Sequence, residues 1–478
     1  MNTKIFALLL FIAPFAVFAQ SKPNVILINM DDMGYGDIEP FGMTGIATPN
    51  FNKLASQGLR LTNFNAAQAV CSASRAALLT GCYPNRVGIS GALLPQSKIA
   101  LNRDESTIAT LLKSNGYTTG MLGKWHLGNR PPHFPMQFGF DTFYGLPYSH
   151  DIWPIDYYGK PVTDSTNIRS KWPPLPVIEG DKQVSTITTL DQQTHWTTSI
   201  TERAVGFISK NSSKPFFLYV AHPLPHVPLA VSDKFKGKST AGTFGDVIME
   251  IDWSIGEIMK AIDKAGIANN TILIVTSDNG PWKHFGNHAG SSAGFREGKG
   301  TPFEGGTRVP FIIRWPVKIA AGMVSGTLMT NMDILPTICS ITGSKLPSRK
   351  IDGLDFAPFF LGKTDNGPRE VFYYYFGVNN LMAVRYKNWK LVLPHQSQSY
   401  EKGTVGKDGI PGALISDNKV SMELFDLTHD PGEKYDVQSL YPDIVAEIQK
   451  YVEAARKDLG DAITNRKGEN VREAGRLE

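Results

Sequence analysis

Short runs of β-branched and aromatic residues alternate along the chain with longer stretches of helical periodicity, a pattern that predicts an α/β domain built on a mostly parallel sheet. Val25-Ile26-Leu27-Ile28-Asn29, Phe216-Phe217-Leu218-Tyr219-Val220 and Ile272-Leu273-Ile274-Val275-Thr276 are apolar at successive positions, as strands covered by helices on both faces must be. Tyr117 to Gly123 reads as a further short strand. Helices are predicted over Asn50–Gln57, Thr107–Asn115, Thr197–Ser209 and Gly245–Ala265. From about Asn366 the texture changes. Val371–Phe376, Met382–Arg385, Trp389–Leu393 and Glu423–Leu427 read as antiparallel strands, and Tyr441–Leu459 as one helix packed on them. The chain is therefore expected to divide into a large domain at 20–365 and a smaller C-terminal one at 366–478. The polar, Gly-rich stretch from Gln396 to Ser421 is expected to be mobile, and the charged tail after Asp461 to fray.

Composition narrows this picture in three places. At 478 residues the chain exceeds what one compact core organises, in keeping with two domains. The formal charge of +4 is spread thinly, with no Lys/Arg run of the kind that binds nucleic acid or anionic lipid, so attraction for an anion must come from a local pocket. Residues 1–19 read as a signal peptide: Lys4 is the only charge, Ile5 to Val17 is apolar, and Val17-Phe18-Ala19 offers a cleavage site. The run is short for a bilayer and Pro14 interrupts it. Export to the periplasm or beyond is expected, with no stable membrane insertion. Cys71, Cys82 and Cys339 are too few for a disulfide framework, and their odd number leaves at least one to another role.

The residues just beyond each strand carry the chemistry, because open α/β sheets bind ligands past the carboxyl ends of their strands. The first strand runs into Asp31-Asp32, and the Tyr117 strand into Lys124-Trp125-His126. The Phe216 strand runs into His222-Pro223-Leu224-Pro225-His226, and the Ile272 strand into Asp278-Asn279-Gly280. Asp31, Asp32, Asp278 and Asn279 are all oxygen donors, suited to a hard divalent cation such as Ca²⁺ and not to zinc. Either pair alone has a plainer reading as a turn or a helix cap. His126 and His226 are candidate proton carriers, since imidazole titrates near neutrality.

The most specific local signal is Cys71-Ser72-Ala73-Ser74-Arg75, closed by Thr80-Gly81. It resembles the signature of the formylglycine-dependent sulfatases, a family of the alkaline phosphatase superfamily, and specifically members of the arylsulfatase and N-acetylgalactosamine-6-sulfatase kind. Asn24 to Asp37, Gly123 to Gly128, Asp278-Asn279-Gly280, Gly298 to Gly306 and Glu423 to Pro431 occur in that family's order, so the resemblance spans nearly the whole mature chain. It implies an alkaline-phosphatase-like large domain with a smaller antiparallel C-terminal one, in a bacterial exported carbohydrate sulfatase. It implies oxidation of Cys71 to Cα-formylglycine by a transient maturase partner, and calcium held by Asp31, Asp32, Asp278 and Asn279 with residue 71. The hydrated aldehyde attacks sulfur while the alcohol leaves, and its second hydroxyl then expels sulfate. By the same resemblance Arg75 holds the formylglycine, Lys124 and Lys299 grip sulfate oxygens, His126 is the base, and His226 with Lys299 assists the leaving alcohol. His226 is preferred to His222 because Val227-Pro228 comes directly after it.

The substrate is expected to be a sulfated carbohydrate, with galactose or N-acetylgalactosamine sulfates first. Trp282, His284 and His288, between two of these motifs, are candidate substrate contacts, and so is His150. An ordered loop whose histidines contact backbone is the alternative for that segment. Two other functions stay open: a phosphoester or phosphonate hydrolase of the same superfamily, and a catalytically silent glycan-binding homologue. Ala73 departs from the proline common in the family, which puts the completeness of oxidation in question.

Overall fold

The structure, a computed structural model, describes residues 22–477, so the expected signal peptide lies outside the described residues. Ten strands form one mixed sheet: β1 (Asn24–Asp31), β2 (Leu59–Leu61), β3 (Thr118–Lys124), β4 (Thr142–Leu146), β5 (Leu175–Glu179), β6 (Lys182–Ile187), β7 (Phe216–Pro225), β8 (Thr271–Ser277), β9 (Phe311–Arg314) and β10 (Met323–Ser325). Their order across the sheet is β10-β2-β9-β8-β1-β7-β3-β4-β5-β6. The five central strands from β8 to β4 run parallel. Antiparallel strands extend both flanks, β9 beside β8 and β5 beside β4.

Alternate residues of the central strands enter two separate cores. Val25, Leu27, Phe217, Tyr219, Ile272 and Ile274 face a layer that includes the helices Cys71–Thr80, Ile108–Ser114 and Ile334–Thr342. Ile26, Ile28, Leu218, Val220, Leu273 and Val275 face the helices Trp196–Asn211 and Gly242–Lys264. This two-sided burial is why these strands read as continuous apolar runs. At about 1.5–3 kcal/mol for each fully buried Val, Leu, Ile or Phe, it also fixes which rim their carboxyl ends share.

The C-terminal strands Val371–Phe376, Asn380–Tyr386, Trp389–Val392 and Glu423–Asp426 form an antiparallel sheet. The helix Pro442–Leu459 covers it with Ile448, Val452, Ala455 and Leu459. Two expectations fail here. The polar stretch after Gln396 is ordered as a hairpin, His395–Ser399 pairing with Ile415–Val420. Its polar groups bond to neighbouring backbone instead of water: Tyr400 Oη donates to the Lys299 carbonyl at 2.5 Å, and the Gly406 and Gly412 N–H groups both donate to the His284 carbonyl. Nor does the tail fray. Arg472 grips both Glu105 oxygens at 2.7 and 2.8 Å, and Gly475–Arg476 pairs with Ile99–Ala100 in the large domain. All three cysteines are buried and unpaired.

A buried charge cluster joins the two domains. Lys390 Nζ lies 3.1 Å from Glu304 Oε1 and 2.7 Å from Glu433 Oε1. Lys390 and the cations Arg385 and Arg308 hold the Glu304 carboxyl down at about 2, against the cost of its burial. Burial, with Glu304 beside it, pushes Glu433 up to about 7. A carboxyl raised in the folded state keeps a proton that the unfolded chain gives up, so stability falls as pH rises from the ordinary carboxylate range to about 7. Glu433→Gln should flatten that dependence at little cost, whereas Glu304→Gln leaves Arg308 and Arg385 without their carboxylate and should cost about 3 kcal/mol or more. Urea unfolding of both variants across this pH range checks the pair; equal losses would contradict the assignment.

Candidate active site

The parallel strands deliver their end residues to one buried spot. Asp31 is the last residue of β1 and Lys124 the last of β3, while Asp278 directly follows β8 and His226 follows β7. Gly123, at φ 96°, lets β3 pass close to β7; a Cβ there would sit 2.0 Å from the Ala221 carbonyl oxygen. Asp32 and His126 both take left-handed backbone at φ 61°, a conformation uncommon outside glycine, which turns each side chain off its strand end into the site.

Cys71 opens the helix Cys71–Thr80 and is 3% exposed. The positive end of that helix therefore faces the site. Ala73 donates its N–H to the Gly91 carbonyl at 3.2 Å, a bond that proline could not make, which gives this chain a local reason for alanine there. One turn on, Arg75 is fully buried; its Nε and Nη2 reach Asp278 Oδ2 at 3.0 and 2.7 Å, and its Nη1 donates to the Lys124 carbonyl at 3.0 Å. Lys124 Nζ pairs with Asp31, and Lys299 Nζ stands 2.8 Å from both Asp32 oxygens.

Three carboxylates thus meet three cations. Cys71 Sγ and oxygens of Asp31 and Asp278 lie within 4.8 Å of one another, and so do groups of Asp31, Asp32 and His226. Burial and the Asp31 charge push Asp278 upward, whereas Lys124 and its fellow cations hold Asp31 well below the usual carboxylate range despite burial. Asp31 Oδ1 and Asn279 Oδ1 are buried acceptors with no donor among the described residues, Asn279 having turned its amide nitrogen to Asp32 at 2.6 Å. Crowded carboxylates with spare oxygens are what a hard divalent cation requires, so the residues fit calcium. Burial also pushes the Cys71 thiol upward. A neutral buried thiol is a poor nucleophile.

Both histidines are held neutral, burial being the main cause, with Lys124 acting on His126 and Lys299 on His226. His126 Nε2 lies 2.8 Å from the Leu93 carbonyl, which fixes its proton there and leaves Nδ1 a free buried acceptor. His226 Nδ1 faces the Val227 carbonyl, and its Nε2 lies 3.5 Å from Asp32 Oδ2. His222 lies beneath the sheet rim against Ser254, at 3.2 Å.

Above these groups a cleft of about 310 Å³ opens, with Cys71, His126, His226 and Lys299 in its lining. Of the candidate substrate residues only Trp282 lines it, with Lys299 Nζ 4.5 Å from its ring centre. His150 sits behind His226, ring centres 5.4 Å apart, and bonds the Pro228 carbonyl. His284 backs Trp282 at 5.2 Å, and His288 lies outside the lining. His284 and His288 both belong to the short helical turn Lys283–His288 that follows Trp282. Sequence reasoning misses Arg169, Trp172, Tyr157 and Gln398, which line the cleft together with Asp151. Arg169 stacks on Tyr157 at 4.2 Å and Trp172 at 5.2 Å, and its Nη2 is 3.4 Å from Asp151. No motif marks them; Tyr157, Arg169 and Trp172 come from one segment without local signature and Gln398 from the C-terminal hairpin.

Comparison with known proteins agrees with this geometry. Residues 23–344 match the family profile described as Sulfatase, and residues 367–474 that described as C-terminal region of aryl-sulfatase. Arylsulfatase A of Bos taurus is 36% identical over 455 residues, covering 91% of this chain and 87% of that protein. The N-acetylgalactosamine-6-O-sulfatase of Bacteroides thetaiotaomicron is 32% identical, covering 91% and 93%. The crystal structure of PsFucS1 sulfatase from Pseudoalteromonas sp. superposes with a TM-score of 0.80 at 30% identity, over 91% of this chain and 89% of that one.

Arg75→Lys keeps the charge but loses the planar fork that spans Asp278 and the Lys124 carbonyl. It should cost about 3 kcal/mol or more in denaturant unfolding, the loss expected when a buried pair is broken. A variant as stable as the parent would mean that the guanidinium geometry is not what holds these elements together.

Proposed function

Because the chain belongs to the sulfatase family and is a sulfuric ester hydrolase, we propose that it removes O-sulfate from a sugar at the end of a glycan, with Cα-formylglycine at position 71 and Ca²⁺ held by Asp31, Asp32, Asp278, Asn279 and residue 71. The observation that carries this reading is the charge balance of the site. Asp31, Asp32 and Asp278 are matched by Arg75, Lys124 and Lys299, so one divalent ion leaves the site positive and able to hold an anionic ester. Calcium bound there supplies charge neutralisation at the sulfate oxygens, and formylglycine supplies a nucleophilic hydroxyl that is renewed at each turnover.

The chain's own groups do the rest. Lys124 and Lys299 donate to sulfate oxygens through Nζ, and Lys299 also steadies the departing oxygen. With Nδ1–H of His226 committed to the Val227 carbonyl, the neutral ring has a lone pair at Nε2, so it takes up a proton there, beside Asp32 Oδ2 at 3.5 Å, before passing one to the leaving alcohol. His126 takes a proton at its free Nδ1. Arg75 fixes residue 71 through the shared helix and Asp278. Sugar recognition falls to the cleft, where Trp282, Tyr157 and Trp172 offer faces and Asp151 and Arg169 offer polar edges. His150, His284 and His288 stay candidate substrate contacts beside Trp282, His150 packing on His226 and His284 on Trp282. Galactose and N-acetylgalactosamine sulfates are the first substrates to try, a choice supported by the Bacteroides relative's name. Export to the periplasm or beyond belongs to the same reading. Among the described residues no helix is long and apolar enough to cross a membrane. Cys71, at 3% exposure, is out of a maturase's reach once folded, so oxidation precedes burial of this segment.

Intact mass of the peptide containing Cys71, from active enzyme of the native host, should show the aldehyde or its hydrate. Cys71→Ala should abolish turnover while leaving folding intact; unmodified cysteine in fully active enzyme would sink the mechanism. Calcium should raise the thermal midpoint by several degrees and a chelator should reverse the gain, by mass action on the folded state. In Asp31→Asn the calcium-dependent part of that shift should largely vanish, and an unchanged shift would place the ion elsewhere.

A further inference from the structure

A second cavity, of about 480 Å³, lies where the C-terminal sheet meets the large domain. Arg308, Arg369, Arg385 and Lys387 line it, and Glu370 is the one acidic residue of its wall. Arg369 is matched by Asp333 at 2.8 and 2.5 Å, and Lys387 stands 3.7 Å from Glu370 at the rim. Arg308 and Arg385 are not matched in this way. Their Nη1 atoms lie 3.4 and 3.9 Å from the same Glu304 oxygen, and Glu304 is shared with Lys390. With Glu433 2.7 Å from Lys390 as the second acid of the cluster, two carboxylates face three cations. Net positive charge is left over at the cavity wall.

The two guanidinium groups are also held in position. Arg308 Nε donates to the Thr62 carbonyl at 2.7 Å, Arg385 Nε to the Lys387 carbonyl at 2.7 Å, and Arg385 Nη1 to Asn63 Oδ1 at 2.8 Å. Nη2 of neither arginine donates to a protein atom among the described residues. Arg385 is 4% exposed and Arg308 half-buried, so both side chains are anchored in the wall with a donor left over. Surplus charge, fixed forks and room for a small anion occur together here, away from Cys71 and the groups around it.

We propose that this interdomain cavity is a second oxyanion site, in which the Nη2 groups of Arg308 and Arg385 hold a sulfate group while Lys387 attracts it at the mouth. The group has two sources: inorganic sulfate released by the reaction, or a sulfate ester on a sugar. Burial lowers the affinity of Arg308 for its proton and the nearby Arg385 lowers it further, a repulsion that the ligand reduces.

Isothermal titration of the full chain, carrying Cys71→Ala so that esters persist, tests this with two probes at low ionic strength: sodium sulfate and a 6-sulfated monosaccharide. Crystals grown without sulfate or phosphate and soaked in selenate locate the anion by anomalous scattering. The expected result is a second class of sites, with selenate at Arg308 and Arg385. Arg385→Gln should weaken that class at least tenfold and Lys387→Glu severalfold, both leaving the cleft's own class intact. Lys387 is a rim residue, so its variant keeps the test valid if Arg385→Gln fails to fold. Binding of sulfate alone assigns the site to released product, and binding of the sugar assigns it to a glycan sulfate. A single class, with selenate only near Cys71, or a second class indifferent to both variants, overturns the proposal.

Discussion

The Arg75 guanidinium is the contact on which the site depends. Buried completely, it ties the helix that begins at Cys71 to Asp278 beyond β8 and to the carbonyl of Lys124 at the end of β3. An isolated charge at that depth would be very costly, so Arg75, Lys124 and Lys299 persist only because Asp31, Asp32 and Asp278 face them. The converse holds for the carboxylates. Neither set can be buried without the other, and together they fix the relative positions of three strand ends, one helix start and the Lys299 loop.

This mutual dependence explains the layout of the fold. A parallel sheet with both faces covered places every central carboxyl end on one rim, where polar groups can gather without breaking either apolar core. The C-terminal sheet adds what the large domain lacks. Its hairpin binds the backbone of the Lys299 loop through Tyr400 and Gln398, and Phe376 and Gln398 help line the cleft. Lys390 beneath it pairs with Glu304, a few residues past Lys299. The smaller domain is therefore part of the site's support, and the tail crossing back to Ile99–Ala100 makes the two domains one packed body.

Some of this was legible along the chain because the signals are local. The strands Val25–Asn29, Phe216–Val220 and Ile272–Thr276 appear where their apolar runs lie, and the helices differ from expectation by a few terminal residues. Order in the hairpin after Gln396 and in the tail was not legible, since polar residues that bond to distant backbone have the same composition as polar residues that bond to water. The same blindness hid Arg169, Trp172 and Tyr157, which line the cleft, whereas His150, His284 and His288 are not among its lining residues.

The sequence by itself determined the family and the fold class and named candidate residues after each strand, because strand burial, the Cys71 to Gly81 signature and those polar residues are encoded within a few positions of one another. Only the tertiary structure decided which of those groups pair, which oxygens and nitrogens stay free, and what walls the cleft. Those outcomes depend on contacts between segments up to hundreds of residues apart, such as Arg75 with Asp278 and Lys299 with Asp32, and on the burial that makes each unpaired charge costly.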